Sequence, residues 1–250
     1  MTDLHPDTLQ QLIDWQPPII SSVISQGIFP VQGRLILYGQ WKTWKSMTAM
    51  HTAFTIASGK PWFGFHTIPH SVLLFQLEVA KPLFRIRVMK YAKGNDCYPT
   101  NLWFLSHPYL KLDRGYGFSE MERVLSIFRP QVLIVDPVYK VLSGDISSSH
   151  DVQILLDNLD IWIDKYGLSI MLITHTRKPV FTSTGIEDRG EEELMGSSYF
   201  PNWADSIIGF RKTGPDDITM FFTSLRHAEE EIKPIKVHIV RETLQFQVIK

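Results

Sequence analysis

Short apolar runs alternate with amphipathic stretches along most of the chain. Arg34-Leu-Ile-Leu-Tyr38 reads as a buried strand closed by Gly39, and Lys45 to Ser58 as a helix stopped by Gly59. Ser71–Leu77 is a second apolar strand. Pro82 to Ala92 is a helix, with Pro82 suited to its first turn and Gly94 to its end. Leu102–Leu105, Gln131–Val135 and Leu168–Ile173 complete the apolar runs. Between them, Ser119–Phe128 reads as a helix with Ser119 as N-cap, and Asp151–Tyr166 as a helix with Ile154, Leu155, Leu159 and Trp162 on one face. Continuous apolar strands joined by helices predict a mainly parallel sheet covered on both faces. The pattern changes after about residue 204. Ser206–Phe210, Ile218–Ser224, Lys236–Val240 and Leu244–Ile249 read as strands linked by Gly214-Pro-Asp-Asp217 and Arg241-Glu-Thr243 turns, an antiparallel β-meander. The expected class is α/β, one domain over residues 31–250. It is preceded by an irregular segment, 1–30, with a short helix near Asp7–Trp15 that packs on the core or on a neighbouring subunit.

Composition narrows the function classes. The 250 residues carry 25 Lys+Arg against 26 Asp+Glu, a net charge of −1, so bulk positive charge is not what would hold nucleic acid. A single cysteine, Cys97, excludes an intrachain disulfide and a zinc site built on cysteines. The first residues lack the basic and apolar regions of a signal peptide. Runs such as Val132–Val135 are far shorter than the ~20 residues that span a bilayer. A cytoplasmic protein without a membrane partner is the expectation.

The candidate chemistry begins where the first predicted strand meets the first long helix. Gly39-Gln40-Trp41-Lys42-Thr43-Trp44-Lys45-Ser46 keeps the first Gly, the Lys and the Ser of a phosphate-binding loop, but has Trp44 in place of the second glycine. Loop amides and the helix N-terminus can surround a polyphosphate such as that of ATP. Lys45 would reach the β- and γ-phosphates and Ser46 would hold Mg²⁺. Trp44 either obstructs the close approach of backbone to phosphate or shields the phosphates from water.

Two carboxylates and a histidine follow other apolar strands. Asp136 ends Val132-Leu-Ile-Val135, as the metal-holding aspartate of such sites does, and would act on Mg²⁺ through water. Glu78 ends Leu73–Leu77. Strand ends of a parallel sheet gather beside the phosphate loop, so Glu78 is placed to activate the attacking water. His175 follows the fifth strand, in Thr174-His-Thr-Arg177-Lys178. It could bond the γ-phosphate or the attacking water, with Arg177 and Lys178 on phosphates or simply solvated.

Taken together these pieces resemble a RecA-like P-loop ATPase, and more closely the RepA-like hexameric helicase branch related to DnaB. The carriers are Pro17-Pro-Ile-Ile ahead of Gly27-Ile-Phe-Pro, the loop with Lys42, Ala57-Ser-Gly-Lys-Pro-Trp62, Leu77-Glu78, Asp136-Pro137, Thr174–Lys178 and Glu193-Leu-Met-Gly-Ser-Ser198. The resemblance implies an Mg²⁺-dependent ATPase in a ring or filament of identical chains, hexameric in relatives, acting on DNA in replication or mobile-element maintenance. It also implies a role for Arg226, in Ser224-Leu-Arg226-His227. There relatives carry an arginine that reaches into the neighbour's site; Ser224 stands where some carry a paired Lys.

DNA contact rests on that resemblance. Of the loops facing the channel in such rings, 138–150 offers Lys140 and Ser147-Ser-Ser-His. The other, 179–194, carries the acidic Glu187-Asp-Arg-Gly-Glu-Glu-Glu193, which repels a phosphate backbone. Lys81, Arg85, Arg87, Lys90 and Lys93 read as a solvated helix face. The alternative is an ATP-controlled loader or regulatory ATPase that binds a protein partner or DNA without unwinding. A degenerate nucleotide site and a small-molecule kinase are further, weaker readings.

Overall fold

The computed structural model describes residues 6–16, 22–176, 181–182, 185–186 and 198–249. In chain order its elements are α1 (Leu9–Asp14), β1 (Ser22–Ile24), β2 (Phe29–Pro30), β3 (Arg34–Gly39), α2 (Lys45–Ser58), β4 (Val72–Gln76), α3 (Lys81–Gly94), β5 (Leu102–Ser106) and α4 (Gly115–Phe128). Then come β6 (Val132–Asp136), a 3-10 turn (Val138–Lys140), α5 (Ser149–Tyr166), β7 (Ser169–Ile173), β8 (Phe181–Thr182), β9 (Gly185–Ile186), α6 (Tyr199–Trp203), β10 (Ser206–Lys212), β11 (Asp217–Leu225), β12 (Ile235–Val240) and β13 (Gln245–Ile249).

Nine strands form one sheet in the order β13-β12-β11-β10-β3-β7-β6-β4-β5. From β10 to β5 every pairing is parallel; β10 to β13 are antiparallel neighbours. The meander therefore extends the parallel sheet through β10, in register with β3 from Ser206↔Leu35 to Phe210↔Gly39.

The strands read as unbroken apolar runs because both faces are covered. Alternate residues serve opposite sides. Leu35, Leu37, Val72, Leu74, Val132 and Ile134 join the core under α2 and α3. Ile36, Leu73, Phe75, Leu133 and Val135 join the core under α4 and α5.

Helix α2 has the expected bounds, and Gly59 closes it in the left-handed region at φ 68°. Helix α4 corrects the reading of Ser119 as its N-cap. It starts a turn earlier, capped at Arg114. Gly117 in that first turn sits where a Cβ would lie 1.9 Å from the Lys111 carbonyl oxygen, so a glycine usually read as a breaker is required by close packing. Ser148, not Asp151, opens α5, its hydroxyl accepting from the Asp151 amide. The N-terminal segment divides. β1–β2 buries Val23, Ile24, Ile28 and Phe29 in the core, whereas α1 buries nothing and turns Leu9, Leu12, Ile13 and the following Trp15 to solvent. Among the described residues no helix is long and apolar enough to cross a membrane.

Candidate active site

Gly39 ends β3 beside Phe210 of β10, whose carbonyl oxygen would lie 2.6 Å from an added Cβ. The chain then turns into the loop 40–44 and enters α2 at Lys45. Two non-glycine residues of the loop, Lys42 and Trp44, both take φ 61°, in the left-handed region that side chains disfavour. This is the physical reason the phosphate-loop pattern has glycine at the position of Trp44. Here the indole packs against the core under α2, with the Arg241 guanidinium 6.0 Å from its ring centre. Its Nε1 is buried without a partner. No side chain caps α2, so its first amides remain available to an anion.

Lys45 is buried, and its Nζ donates to the carbonyls of Gly39 (2.7 Å) and Gln40 (2.6 Å) and to Thr43 Oγ1 (3.3 Å). The lysine is thus folded onto its own loop. Burial lowers its pKa to about 8, against the opposing pull of Asp136 and Glu78. Asp136 is buried at the end of β6. Desolvation raises it to about 6; Glu78 adds to the rise, while a hydrogen bond with Ser46 and the charges of Lys45 and Arg87 oppose it. The Ser46 hydroxyl sits on the buried Asp136 carboxylate. Hydroxyl and carboxylate oxygens are the ligands a hard divalent cation such as Mg²⁺ takes, and Ser46 and Asp136 would hold it.

Glu78 is exposed, but its surroundings are ordered. The Leu77 amide donates to the Asp136 carbonyl (3.0 Å), and the Gln76 side chain clasps Val79, accepting from its amide at 2.8 Å and donating to its carbonyl. The Tyr139 hydroxyl donates to Glu78 Oε1. His175 lies between Trp41 and Tyr139, with ring centres 6.1 and 5.9 Å away. Its Nδ1 is buried without a partner, and desolvation, with the Lys45 charge, lowers its pKa. These groups border one cleft of about 1420 Å³, whose far side is Arg87 and Lys90 of α3, Lys212 and Arg241.

The structure therefore brings together the loop 39–46, Glu78, Asp136 and His175. It does not bring Arg226 to them. Leu225 aligns through Ser206 with Leu35, so Arg226 lies at the opposite edge of the sheet, its guanidinium donating to the Asn202 carbonyl at 2.8 Å. Arg87 and Lys90, expected only on a solvated face, are exposed and also border the cleft, because α3 follows β4 at the same edge as the phosphate loop. Tyr139 and Gln76 were not legible as site residues; the one available signal was their place beside the strand ends. Arg177, Lys178, the Glu187–Glu193 run and Pro17-Pro-Ile-Ile lie outside the described residues, as does most of Glu193–Ser198.

Residues 3–180 match the AAA_25 family, described as an AAA domain. The chain belongs to this family. Two solved structures share its fold. One is the ATPase domain of G40p, with TM-score 0.63 and 10% identity, covering 88% of this chain and 85% of that one. The other is a KaiC-like protein, PH0186, from Pyrococcus horikoshii OT3, with TM-score 0.58 and 14% identity, covering 91% and 94%. No curated protein matches. The expected RecA-like P-loop ATPase fold is borne out: the chain carries an AAA domain and shares the fold of these two structures. The AAA_25 domain is an ATPase domain of RecA-like fold.

Proposed function

We propose that this AAA_25 protein is a Mg²⁺-dependent ATP hydrolase that works as a ring or filament of copies and moves on DNA, as a helicase or translocase in replication or mobile-element maintenance. The observation that carries the reading is the convergence of Lys45, Ser46, Asp136, Glu78 and His175 on one cleft. On nucleotide binding, the Lys45 ammonium leaves the Gly39 and Gln40 carbonyls for phosphate oxygens, while the free amides of α2 hold the rest of the anion. Ser46 and Asp136 would hold the cation, which would supply positive charge to offset that of the phosphates. Glu78 accepts the proton of the attacking water, and His175 bonds the γ-phosphate from the other side.

Arg226 cannot serve its own Lys45 from the opposite edge of the sheet. Its proposed role is in a neighbour's site, where it would offset transition-state charge. The exposed apolar face of α1 is consistent with a segment that packs on that neighbour. Mass measurement with and without a non-hydrolysable ATP analogue tests the assembly. Nucleotide-stabilised oligomers are expected; a monomer in both states removes the role of Arg226.

A second reading, an ATP-controlled loader or regulatory ATPase, is favoured by the net charge of −1 and the acidic 187–193 run. Strand displacement separates the two. A helicase unwinds in step with turnover, whereas a loader hydrolyses ATP and binds its partner without unwinding.

A further inference from the structure

We infer that Tyr139 is a positioning residue for ATP hydrolysis, its hydroxyl holding the Glu78 carboxylate in the orientation that water activation needs. The inference rests on the proposed role of Glu78 and deepens it. A general base needs a defined direction as well as basicity, and an exposed glutamate at a strand end has neither neighbours nor packing to supply one. Everything else around Glu78 fixes its backbone: the Gln76 clasp on Val79 and the Leu77–Asp136 bond. The side-chain contact that remains is Tyr139 to Oε1, which leaves Oε2 to accept from water.

Tyr139 is itself braced. It stands in the 3-10 turn that follows Asp136, between buried Val138 and buried Val141 and Leu142. The Lys111 ammonium ties that turn down through the carbonyls of Lys140 (2.6 Å) and Leu142 (3.0 Å), and the Leu112 amide bonds the Val141 carbonyl at 2.7 Å. One side of the phenol ring meets His175, and Lys140 Nζ lies 5.6 Å from the ring centre. Burial and the neighbouring carboxylates raise the phenol above its ordinary value, so it remains a proton donor throughout the working pH range. A fixed donor aimed at one oxygen of a mobile carboxylate is the arrangement by which a supporting residue orients a base.

The test is a double-mutant cycle of Tyr139→Phe and Glu78→Gln, reading kcat, KM and melting temperature. Phenylalanine keeps the ring against His175 and removes only the hydroxyl. Tyr139→Phe is expected to lower kcat about tenfold, the order lost when an oriented group is loosened, with KM unchanged within twofold. In the Glu78→Gln background the same substitution is expected to change nothing further. Wild-type kcat in Tyr139→Phe overturns the inference and leaves Glu78 in place. Equal losses in both backgrounds also overturn it, because a structural role is additive. Wild-type turnover in Glu78→Gln overturns both the inference and the catalytic reading beneath it. Should Tyr139→Phe fail to fold, 3,5-difluorotyrosine at position 139 keeps the shape and ionises more readily. A kcat that falls toward alkaline pH, where wild type holds level, supports the inference; a profile identical to wild type overturns it.

Discussion

The two ends of the same parallel strands are built on opposite rules. At the carboxyl ends, Lys45 and Asp136 are buried with shifted pKa values, Lys42 and Trp44 hold left-handed backbone, and Trp44 Nε1, Thr174 Oγ1 and His175 Nδ1 are buried without partners. At the amino ends the charges are matched. Arg34 Nε meets Asp160 at 2.9 Å, its amide donates to Asp205 at 2.8 Å, and Trp203 Nε1 donates to Asp160 at 2.8 Å. The Arg226 amide bonds the Asp205 carbonyl at 2.9 Å. Unpartnered polar atoms also occur away from the cleft, at His51 Nε2, Asp113 Oδ1 and Trp162 Nε1, so the contrast lies in the clustering of three of them with the shifted Lys45 and Asp136 at one end, against the matched Arg34–Asp160–Asp205 group at the other.

The sharpest way to break this contrast is to exchange its terms. Lys45→Ala at the strained edge is expected to lower ATP turnover more than about a hundredfold while the protein still folds, by steady-state phosphate release and circular dichroism. Arg34→Ala at the matched edge is expected to leave turnover within twofold and to cost no more than about 1 kcal/mol, since its carboxylate partner Asp160 is partly exposed. Arg226→Ala is the informative exception. A loss of turnover of about a hundredfold in the assembled protein, restored in part by mixing with Glu78→Gln subunits, would show that the quiet edge completes a neighbour's site.

Stability sharpens the contrast with the opposite sign. Asp136 titrates at about 6 in the fold instead of 3.8, so the folded protein binds this proton more tightly than the unfolded chain. Its contribution is present below pH 3.8 and is lost as pH rises through 6. Asp136→Asn is therefore expected to stabilise the nucleotide-free protein above pH 6, by up to about 3 kcal/mol and so with a higher melting temperature, and to give no gain below pH 3.8, while abolishing Mg²⁺-dependent turnover. The smallest effect is at Lys42. Lys42→Gly relieves left-handed backbone at an exposed position and is expected to add about 0.5–1 kcal/mol, one to three degrees, measured by calorimetry.

The legible part of the molecule was what period and punctuation encode. Strands buried on both faces give unbroken apolar runs, Gly59 ends α2, and the gathering of parallel strand ends at one edge puts Glu78, Asp136 and His175 on the same cleft as Lys45. The start of α4 was not legible, because Gly115 and Gly117 look like breakers until the Lys111 carbonyl is seen against them. β1, β2 and α6 are too short to carry a period. Tyr139 was not legible because its contact with Glu78 spans 61 residues and joins an ordinary loop tyrosine to an exposed carboxylate. Trp44 showed as a wrong letter, and its consequence for the backbone needed the φ angle.

The central claim is that the carboxyl-edge cleft hydrolyses ATP with Glu78 as its base. Comparing Glu78→Gln with wild type, for both binding of a non-hydrolysable ATP analogue and steady-state phosphate release, tests it most directly. The account predicts analogue affinity within a few-fold of wild type and phosphate release lowered on the order of a hundredfold or more. Phosphate release at the wild-type rate in Glu78→Gln would contradict it.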